Sequence, residues 1–337
     1  MRIAIVNDVK MVVELLRRII AGIPGCEIAW TAADGVEAVN KCADDTPDLV
    51  VMDLFMPRMN GVEATRQIMK ASPCAILIVT ATVEGNSSNV FDALGEGALD
   101  AVNTPEDNPG GEYAFVRKIS MLKKLIGTNM AYTRRTVRDS DRLYTQAATP
   151  PLLVAIGAST GGPKAVADLL TAIPPDLNIM FTVIQHIDKQ FVKGLALWLK
   201  SSCRLEVRIA VPGDTPKRGQ ILLAGTNDHM IMMPNGHIDY TVAPETNPFR
   251  PSVDVFFGSL AEHWNAKGIA VLLTGIGRDG AEGMLKLRRA GWHTIAQNRE
   301  SCVVYGMPKA AVELNAATEI LPPSAIGQKI IELIAKG

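Results

Sequence analysis

A serine, a histidine and an aspartate each follow an apolar run in the second half of the chain. Ser159 follows LLVAIGA, His186 follows NIMFTVIQ, and Asp279 follows GIAVLLT after a short glycine-rich segment. A serine hydroxyl becomes a nucleophile only when a base takes its proton, and a third group must orient that base. These residue types at three strand ends predict ester or amide hydrolysis through a covalent serine intermediate.

The segment around Ser159 has the pattern Gly-x-Ser-x-Gly between a predicted strand and a helix that starts at Pro163. Such a turn exposes the hydroxyl, and its glycines avoid crowding it. A phosphate-binding loop is the alternative. A Walker loop needs lysine and then Ser or Thr after Gly162, where Pro163 and Lys164 stand, and a dinucleotide loop needs glycine in place of Ser159.

The segment that carries Asp279, GIGRDG, also matches a dinucleotide fingerprint with a strand before it and a helix after it. This single motif lies late in its domain, and no acidic residue closes a following strand to bind a ribose. Asp188, Asp228 and Asp254 are rival orienters for His186. Four other histidines are expected to be structural: His229, His237, His263 and His293.

Polar residues also end four apolar runs in the first half of the chain, namely Asp8, Asp53, Thr80 and the pair Asn103-Thr104. Functional groups in open parallel sheets gather beyond the carboxyl ends of the strands. Asp8 and Asp53 together can hold Mg²⁺, which binds through one or two carboxylates, water and phosphate oxygens. We therefore expect Asp53 to attack a phosphoryl group and Thr80 to bond one of its oxygens.

Alternating apolar runs and amphipathic stretches position these residues. Five strand and helix pairs over residues 2–126 predict a parallel five-stranded α/β sheet. The alternation resumes at Leu152 and predicts a doubly wound, mostly parallel α/β domain. Its middle, from about 205 to 242, has short runs separated by Gly, Pro and Asn, which predicts antiparallel hairpins set into the sheet.

A length of 337 residues favours about two domains. We predict domains over residues 1–126 and 151–337, joined by a linker over 127–150 that has no apolar period and ends at Pro150. Arginines in this linker could instead hold a phosphate or an acidic partner.

The net charge of −1 offers no basic field, so no nucleic-acid partner is predicted. Five dispersed cysteines without a C-x-x-C pair argue against a zinc site or a disulfide framework. Without a leader or an apolar run of about 18 residues, the chain is expected to stay in the cytoplasm and not to insert into a membrane.

The segments VND, VVMDLFMPRMNG, IVTA and DAVNTP resemble the receiver domain of bacterial response regulators over nearly all of the first 126 residues. The resemblance implies a flavodoxin-like fold and a CheA-type histidine kinase as phosphodonor. It makes Asp53 the phosphoacceptor and Thr80 the switch hydroxyl, with Asp8, Asp53 and the Phe55 carbonyl as magnesium ligands.

Two positions depart from that family's pattern. Asn7 replaces the first member of an acidic pair, and Thr104 replaces a lysine. A neutral hydroxyl bonds a phosphoryl oxygen more weakly than an ammonium does. We therefore expect impaired or differently controlled phosphorylation, unless the kinase or Arg58 compensates.

The motifs IGASTGGP, QHI, FRPSVDVFF, LLTGIGRDGAEGM and TIAQNRESCVVYGMP resemble CheB-type protein-glutamate methylesterases from about residue 152 to 320. The resemblance implies Ser159 as nucleophile, His186 as base, Asp279 as its orienter and the Ile276 backbone N–H as oxyanion donor, without a metal. The implied substrate is the glutamate γ-methyl ester of a methyl-accepting receptor, with glutamine deamidation as a second activity. Asn7 together with DAVNTP resembles the branch that serves the Wsp surface-sensing pathway.

Two other functions would suit parts of this sequence. A receiver linked to a DNA-binding output does not suit the second domain, which is long, strand-rich and without a basic recognition helix. A non-catalytic nucleotide-binding module would use the two glycine segments. Such a module would not react with a fluorophosphonate, whereas a serine esterase would.

Overall fold

The computed structural model describes residues 1–80, 87–106, 108, 110–126 and 152–336. The chain divides into two compact units, Met1–Thr133 and Arg134–Gly337. The predicted linker over residues 127–150 lies outside the described residues. No helix within the described ranges combines the length and the apolar character that crossing a bilayer requires.

The first unit alternates strands and helices along the described chain. Its elements are β1 (Arg2–Val6), α1 (Lys10–Ala21), β2 (Glu27–Ala32), α2 (Gly35–Asp44), β3 (Leu49–Met52), α3 (Gly61–Ala71), β4 (Ala75–Thr80), α4 (Ser87–Gly95), β5 (Asp100–Asn103) and α5 (Tyr113–Ile126).

The five strands of this unit form one parallel sheet in the order β2-β1-β3-β4-β5. Every residue of β3 and β4 is buried, as expected for strands that are covered on both faces. Asp34 caps α2 by accepting from the backbone N–H groups of Val36 and Glu37. The predicted five-stranded parallel sheet is confirmed.

The second unit begins its described part at β6. Its elements are β6 (Leu152–Ala158), α6 (Gly162–Thr171), β7 (Ile179–Gln185), α7 (Lys189–Ser202), β8 (Glu206–Ile209), β9 (Gln220–Leu223), β10 (His229–Met232), β11 (Ile238–Thr241), α8 (Val253–His263), β12 (Gly268–Leu272), α9 (Ala281–Arg289), β13 (His293–Gln297), α10 (Met307–Glu313), β14 (Glu319–Leu321) and α11 (Pro323–Lys336).

Seven of these strands form a parallel sheet in the order β14-β13-β12-β6-β7-β9-β8. The central strands β6, β7 and β12 lie side by side, so their carboxyl ends meet at one edge of the sheet. The loops after these three strands carry Ser159, His186 and Asp279. The predicted doubly wound, mostly parallel α/β domain is confirmed.

The middle of this unit differs in part from the prediction for residues 205–242. Only β10 and β11 pair antiparallel, and they form their own two-stranded sheet. The edge strand β8 and its neighbour β9 are parallel instead, because residues 210–219 carry the chain back along the sheet before β9 starts. Four-residue strands encode no direction in their own sequence, so a hairpin and a short parallel crossover look alike.

Candidate active site

Ser159 lies in the turn between β6 and α6 and is 6% exposed. Its backbone N–H donates to the Thr274 carbonyl (3.0 Å), and its carbonyl accepts from Gln185 Nε2 (2.8 Å). Gly161 has a φ of 74°, and a Cβ there would lie 2.5 Å from Val303 Cβ. Glycine is therefore required at position 161, and both neighbouring strands hold the serine turn.

Thr274 links this turn to the segment after β13. It is fully buried, its Oγ1 lies 3.0 Å from the Thr160 carbonyl and accepts from the Val304 N–H at 2.8 Å. Its own N–H donates to Gln297 Oε1 at 2.7 Å. Sequence reasoning missed Thr274, Gln297 and Gln185. The signal was available, since Gln185 and Gln297 are the last residues of β7 and β13, and Thr274 follows the apolar run of β12.

His186 follows β7 directly, and its backbone N–H donates to Ala158, the residue before Ser159 (3.0 Å). Its Nε2 lies 2.7 Å from Asp279 Oδ2, and its ring stacks on Phe249 with centroids 4.8 Å apart at 11°. An ionised carboxylate only accepts, so Nε2 carries the proton. Nδ1 is then the basic atom, and it is buried without a hydrogen-bond partner among the described residues.

Asp279 lies in the loop between β12 and α9 and is 6% exposed. Besides His186, its carboxylate accepts from Ser252 Oγ (2.6 Å), the Val253 N–H (2.6 Å) and the Asp254 N–H (3.2 Å). Burial alone would raise the pKa of Asp279, but the bond and charge of His186 and the bonds from Ser252 and Val253 outweigh it and lower that pKa. The buried carboxylate therefore stays ionised and can orient the imidazole.

The rival orienters have other partners. Asp188 caps α7 by accepting from the Gln190 N–H at 3.0 Å. Asp254 accepts from the Gly283 N–H at 2.6 Å, and burial raises its pKa to about 6. Asp228 donates its N–H to Thr226 Oγ1 at 3.1 Å. The structure brings Asp279, and none of these three, to His186.

The turn after Thr274 lies against the serine. A Cβ at Gly275 would come within 2.7 Å of Ser159 Cβ and closer still to Met307 Sδ. This close approach places the segment that carries the Ile276 N–H beside the serine turn. A Cβ at Gly277 would meet the Phe249 ring at 3.1 Å, so protein side chains fill the space around these glycines and leave little for a dinucleotide.

Two of the histidines expected to be structural make bonds within the fold. His229 is fully buried, with Nδ1 accepting from the Ser252 N–H at 3.1 Å and Nε2 lying 3.4 Å from the Pro244 carbonyl. The ring Nδ1 of His237 lies 3.0 Å from the Gly213 carbonyl. Neither bonds Ser159.

The first unit carries a carboxylate site at the ends of β1 and β3. Asp53 Oδ2 accepts from Asn7 Nδ2 at 3.1 Å, and Asp53 Oδ1 accepts from the Leu54 N–H at 2.7 Å. Burial first, and then the charge of Asp8, raise the pKa of Asp53 to about 6, although hydrogen bonds from the backbone of Leu54 and Phe55 and from the Thr80 side chain oppose them. Two carboxylates that repel each other in a half-buried site fit a divalent cation.

Asn7 and Thr104, the two residues that depart from the receiver pattern, each form a hydrogen bond near Asp53 or Thr80. Asn7 replaces a charge with the amide that bonds Asp53, and Thr104 donates its N–H to the Thr80 carbonyl at 3.1 Å. The guanidinium of Arg58 pairs with the buried carboxylate of Asp34. That pairing does not favour Arg58 as a substitute for the missing ammonium.

Comparison with known proteins agrees with both halves of this description. A family model described as CheB methylesterase matches residues 154–330, and one described as response regulator receiver domain matches residues 3–109. A protein-glutamate methylesterase/protein-glutamine glutaminase of Pseudomonas aeruginosa is 49% identical over 343 residues, covering 99% of both chains. One from Burkholderia thailandensis is 48% identical over 340 residues, covering 100% of this chain and 98% of the relative.

A solved structure gives the same result for the second unit. The crystal structure of the Thermotoga maritima CheB methylesterase catalytic domain is 36% identical, with a TM-score of 0.52, and covers 55% of this chain and 100% of that one. The receiver match at the N-terminus and the methylesterase match that follows it account for most of the chain. The chain therefore belongs to the CheB methylesterase family and carries a response regulator receiver domain at its N-terminal end.

Proposed function

We propose that this protein hydrolyses glutamate γ-methyl esters on the cytoplasmic helices of a methyl-accepting receptor, with Ser159 as nucleophile, His186 as base and Asp279 as orienter. The observation that carries the proposal is the 2.7 Å bond between His186 Nε2 and Asp279. It leaves the buried Nδ1 as the basic atom of a residue that directly follows β7, the strand beside the one that leads into the serine turn. In isolated enzymes the serine–histidine bond is often long and shortens only when substrate is bound.

The reaction follows from these atoms. His186 Nδ1 takes the proton of the Ser159 hydroxyl while Oγ attacks the ester carbonyl, and the carbonyl electron pair moves onto oxygen. The Ile276 N–H stabilises that oxyanion. When the oxyanion collapses, the carbon–methoxide bond breaks, and the imidazolium gives its proton to the leaving methanol. Water then repeats the sequence on the glutamyl-serine, releasing glutamate.

Glutamine deamidation needs the same tetrahedral intermediate, with ammonia in place of methanol as the leaving group. The similar proteins from Pseudomonas aeruginosa and Burkholderia thailandensis carry both activities in their names. We include this second activity in the proposal. The same atoms serve both reactions, since only the leaving group differs.

The receiver regulates the esterase through phosphorylation of Asp53 by a CheA-type histidine kinase. Asp8, Asp53 and the Phe55 carbonyl would hold Mg²⁺, which neutralises negative charge when bound. Asn7 and Thr104 supply neutral groups where charges are usual, so phosphorylation is weaker here. We include in the proposal that the protein serves the Wsp surface-sensing branch, which the combination of Asn7 with DAVNTP resembles, and that its substrate is a methyl-accepting chemoreceptor-like protein.

A fluorophosphonate probe tests the esterase part directly. The proposal requires stoichiometric labelling of the full-length protein at Ser159, located by mass spectrometry of the labelled peptide. His186→Ala should abolish labelling, because the hydroxyl then has no base. Failure of the folded wild type to react would contradict the proposal, and stabilisation by a nucleotide in the same preparation would favour the nucleotide-binding alternative.

A further inference from the structure

One turn supplies three of the hydrogen bonds that hold Asp279. Ser252 is the N-cap residue of α8 and donates its Oγ to Asp279 Oδ1 (2.6 Å). The next two backbone N–H groups, from Val253 and Asp254, donate to Oδ2 (2.6 Å) and Oδ1 (3.2 Å). The carboxylate therefore keeps its orientation toward His186 only while this turn keeps its own position.

His229 forms a hydrogen bond with the backbone of the turn that contains Ser252. It lies in β10, is fully buried, and its Nδ1 accepts from the Ser252 N–H at 3.1 Å. An imidazole nitrogen that accepts an N–H carries no proton, so the proton of a neutral His229 is on Nε2. That nitrogen faces the Pro244 carbonyl at 3.4 Å, where it finds an acceptor. Both ring nitrogens of His229 therefore have hydrogen-bond partners in the protein backbone.

We propose that His229 is a positioning residue of the esterase, which fixes the N-terminal turn of α8 through Ser252 and thereby holds Asp279 in line with His186. The inference rests on the triad of the proposed function. A chain of three contacts links His229, Ser252, Asp279 and His186. His229 bonds neither Ser159 nor His186, so its effect passes through the orientation of Asp279.

The neutral form of His229 is required for this role. A protonated Nδ1 would turn an N–H toward the Ser252 N–H and break the bond that fixes the turn. Burial lowers the pKa of His229, which keeps the ring neutral. Because His229 acts through Asp279, we expect it to affect the rate of the chemical step and not substrate binding, since the charge on His186 that Asp279 stabilises develops during proton transfer.

Two substitutions separate the hydrogen bond from simple space filling. His229→Asn keeps an acceptor oxygen near the position of Nδ1, whereas His229→Leu fills the space without an acceptor. With a methylated receptor fragment as substrate, we expect kcat of His229→Leu to fall about 10- to 100-fold, with KM within about twofold, since small misplacements of catalytic groups cost this much. His229→Asn should recover most of that loss. His237→Leu is the matched control and should behave as wild type.

Equal kcat values for folded His229→Leu and wild type would overturn the proposal, and so would a loss in His229→Leu that His229→Asn does not recover. If His229→Leu fails to fold, NMR of the ¹⁵N-histidine-labelled wild type decides instead. The proposal requires the His229 signal of a neutral ring protonated at Nε2. A signal of the Nδ1-protonated form or of an imidazolium at neutral pH would overturn it.

The experiments distinguish a failure of the proposed esterase function from a failure of the positioning role of His229. Full activity of Ser159→Ala in the same assay would overturn the triad without changing the NMR signal of His229. A triad confirmed by Ser159→Ala, together with a wild-type rate in His229→Leu, would overturn only the positioning role.

Discussion

At the scale of single residues, the hydrogen bonds of the His186 ring determine which of its two nitrogens can act as the base. Its Nε2 bonds Asp279, so in the proposed mechanism Nδ1 is the nitrogen that takes the proton of Ser159. Asp279 accepts four hydrogen bonds, from His186, Ser252, Val253 and Asp254, and an asparagine has only one acceptor oxygen to offer them. The orientation of His186 therefore depends on a carboxylate at position 279.

Asp279→Asn should lower kcat about 1,000- to 10,000-fold with little change in KM, because the amide leaves the imidazole without its orienting anion. Receptor demethylation kinetics measure both constants. Asp188→Asn is the matched control, since Asp188 caps α7 and should keep nearly full activity. A similar loss in both variants would mean that Asp279 does not orient the base.

Asp53 makes the receiver sensitive to pH. Its pKa rises from an ordinary value of 3.8 to about 6 in the folded chain, so the folded state holds this proton more tightly than the unfolded state does. We therefore expect the free energy of unfolding of the receiver to fall as the pH rises from about 4 to 6 and to stay lower above that. Mg²⁺ should restore it by neutralising the two carboxylates.

Asp53→Asn mimics the protonated form and should stabilise the receiver by about 1 to 3 kcal/mol at pH 7.5, with a smaller gain at pH 4.5. Amide hydrogen exchange of peptides from β3 and β4 reports this unit separately. Added Mg²⁺ should protect wild type and leave Asp53→Asn unchanged. Asp44→Asn, at the exposed end of α2, is the control. Equal protection of wild type and Asp53→Asn at pH 7.5 would show that the ionised Asp53 carboxylate does not destabilise the folded receiver.

At the scale of elements, the turn between β6 and α6 requires glycine for two reasons that can be separated. Gly161 has positive φ and no room for a Cβ, which would lie 2.5 Å from Val303 Cβ. Gly213 has a φ of 88° with nothing within 4 Å of the same atom. Alanine at position 213 therefore carries the cost of the backbone alone, about 1 to 2 kcal/mol.

Gly161→Ala should lose about 1 to 3 kcal/mol more than Gly213→Ala, because the methyl group overpacks against Val303. It should also react more slowly with a fluorophosphonate, since the displaced turn carries Ser159. Urea unfolding and labelling rates measure the two effects. An equal loss of stability in Gly161→Ala and Gly213→Ala would show that the contact with Val303 does not affect stability.

A substitution at Thr104, in the segment after β5, tests the proposal that phosphorylation of this receiver is weakened. Thr104 offers a neutral hydroxyl, whereas a lysine ammonium would form a charge-assisted bond worth about 1.5 to 3 kcal/mol against about 1 for a neutral one. Thr104→Lys should therefore raise the phosphorylated fraction of Asp53 severalfold at a limiting concentration of a small phosphodonor with Mg²⁺. Thr46→Lys, in the exposed segment before β3, should not. Complete phosphorylation of wild type under these conditions would contradict the proposed weakening.

At the scale of the whole molecule, much of the fold was predictable because it depends on local patterns. Short apolar runs that alternate with amphipathic stretches identified both sheets, and polar residues after those runs identified Ser159, His186 and Asp279. The structure brings His186 and Asp279 into contact and places the serine turn on the neighbouring strand. Parallel strands make this outcome general, since their carboxyl ends share one edge.

The supporting contacts were not predictable, because they join residues that are distant in the chain and have no local signature. Phe249 stacks on His186 across 63 positions, and Ser252 and His229 reach Asp279 and Ser252 across 27 and 23. The direction of β8 relative to β9 was missed for the same reason. Tertiary packing decides such features, and a single sequence does not display it.

The most direct test of the central proposal is methanol release from a receptor fragment that carries glutamate γ-methyl esters, measured with purified full-length protein. Wild type should release methanol. Ser159→Ala and His186→Ala should each abolish release while remaining folded, and the double variant should lose little beyond either single one, because the residues act as a unit. Methanol release by folded Ser159→Ala at a rate near that of wild type would contradict the account.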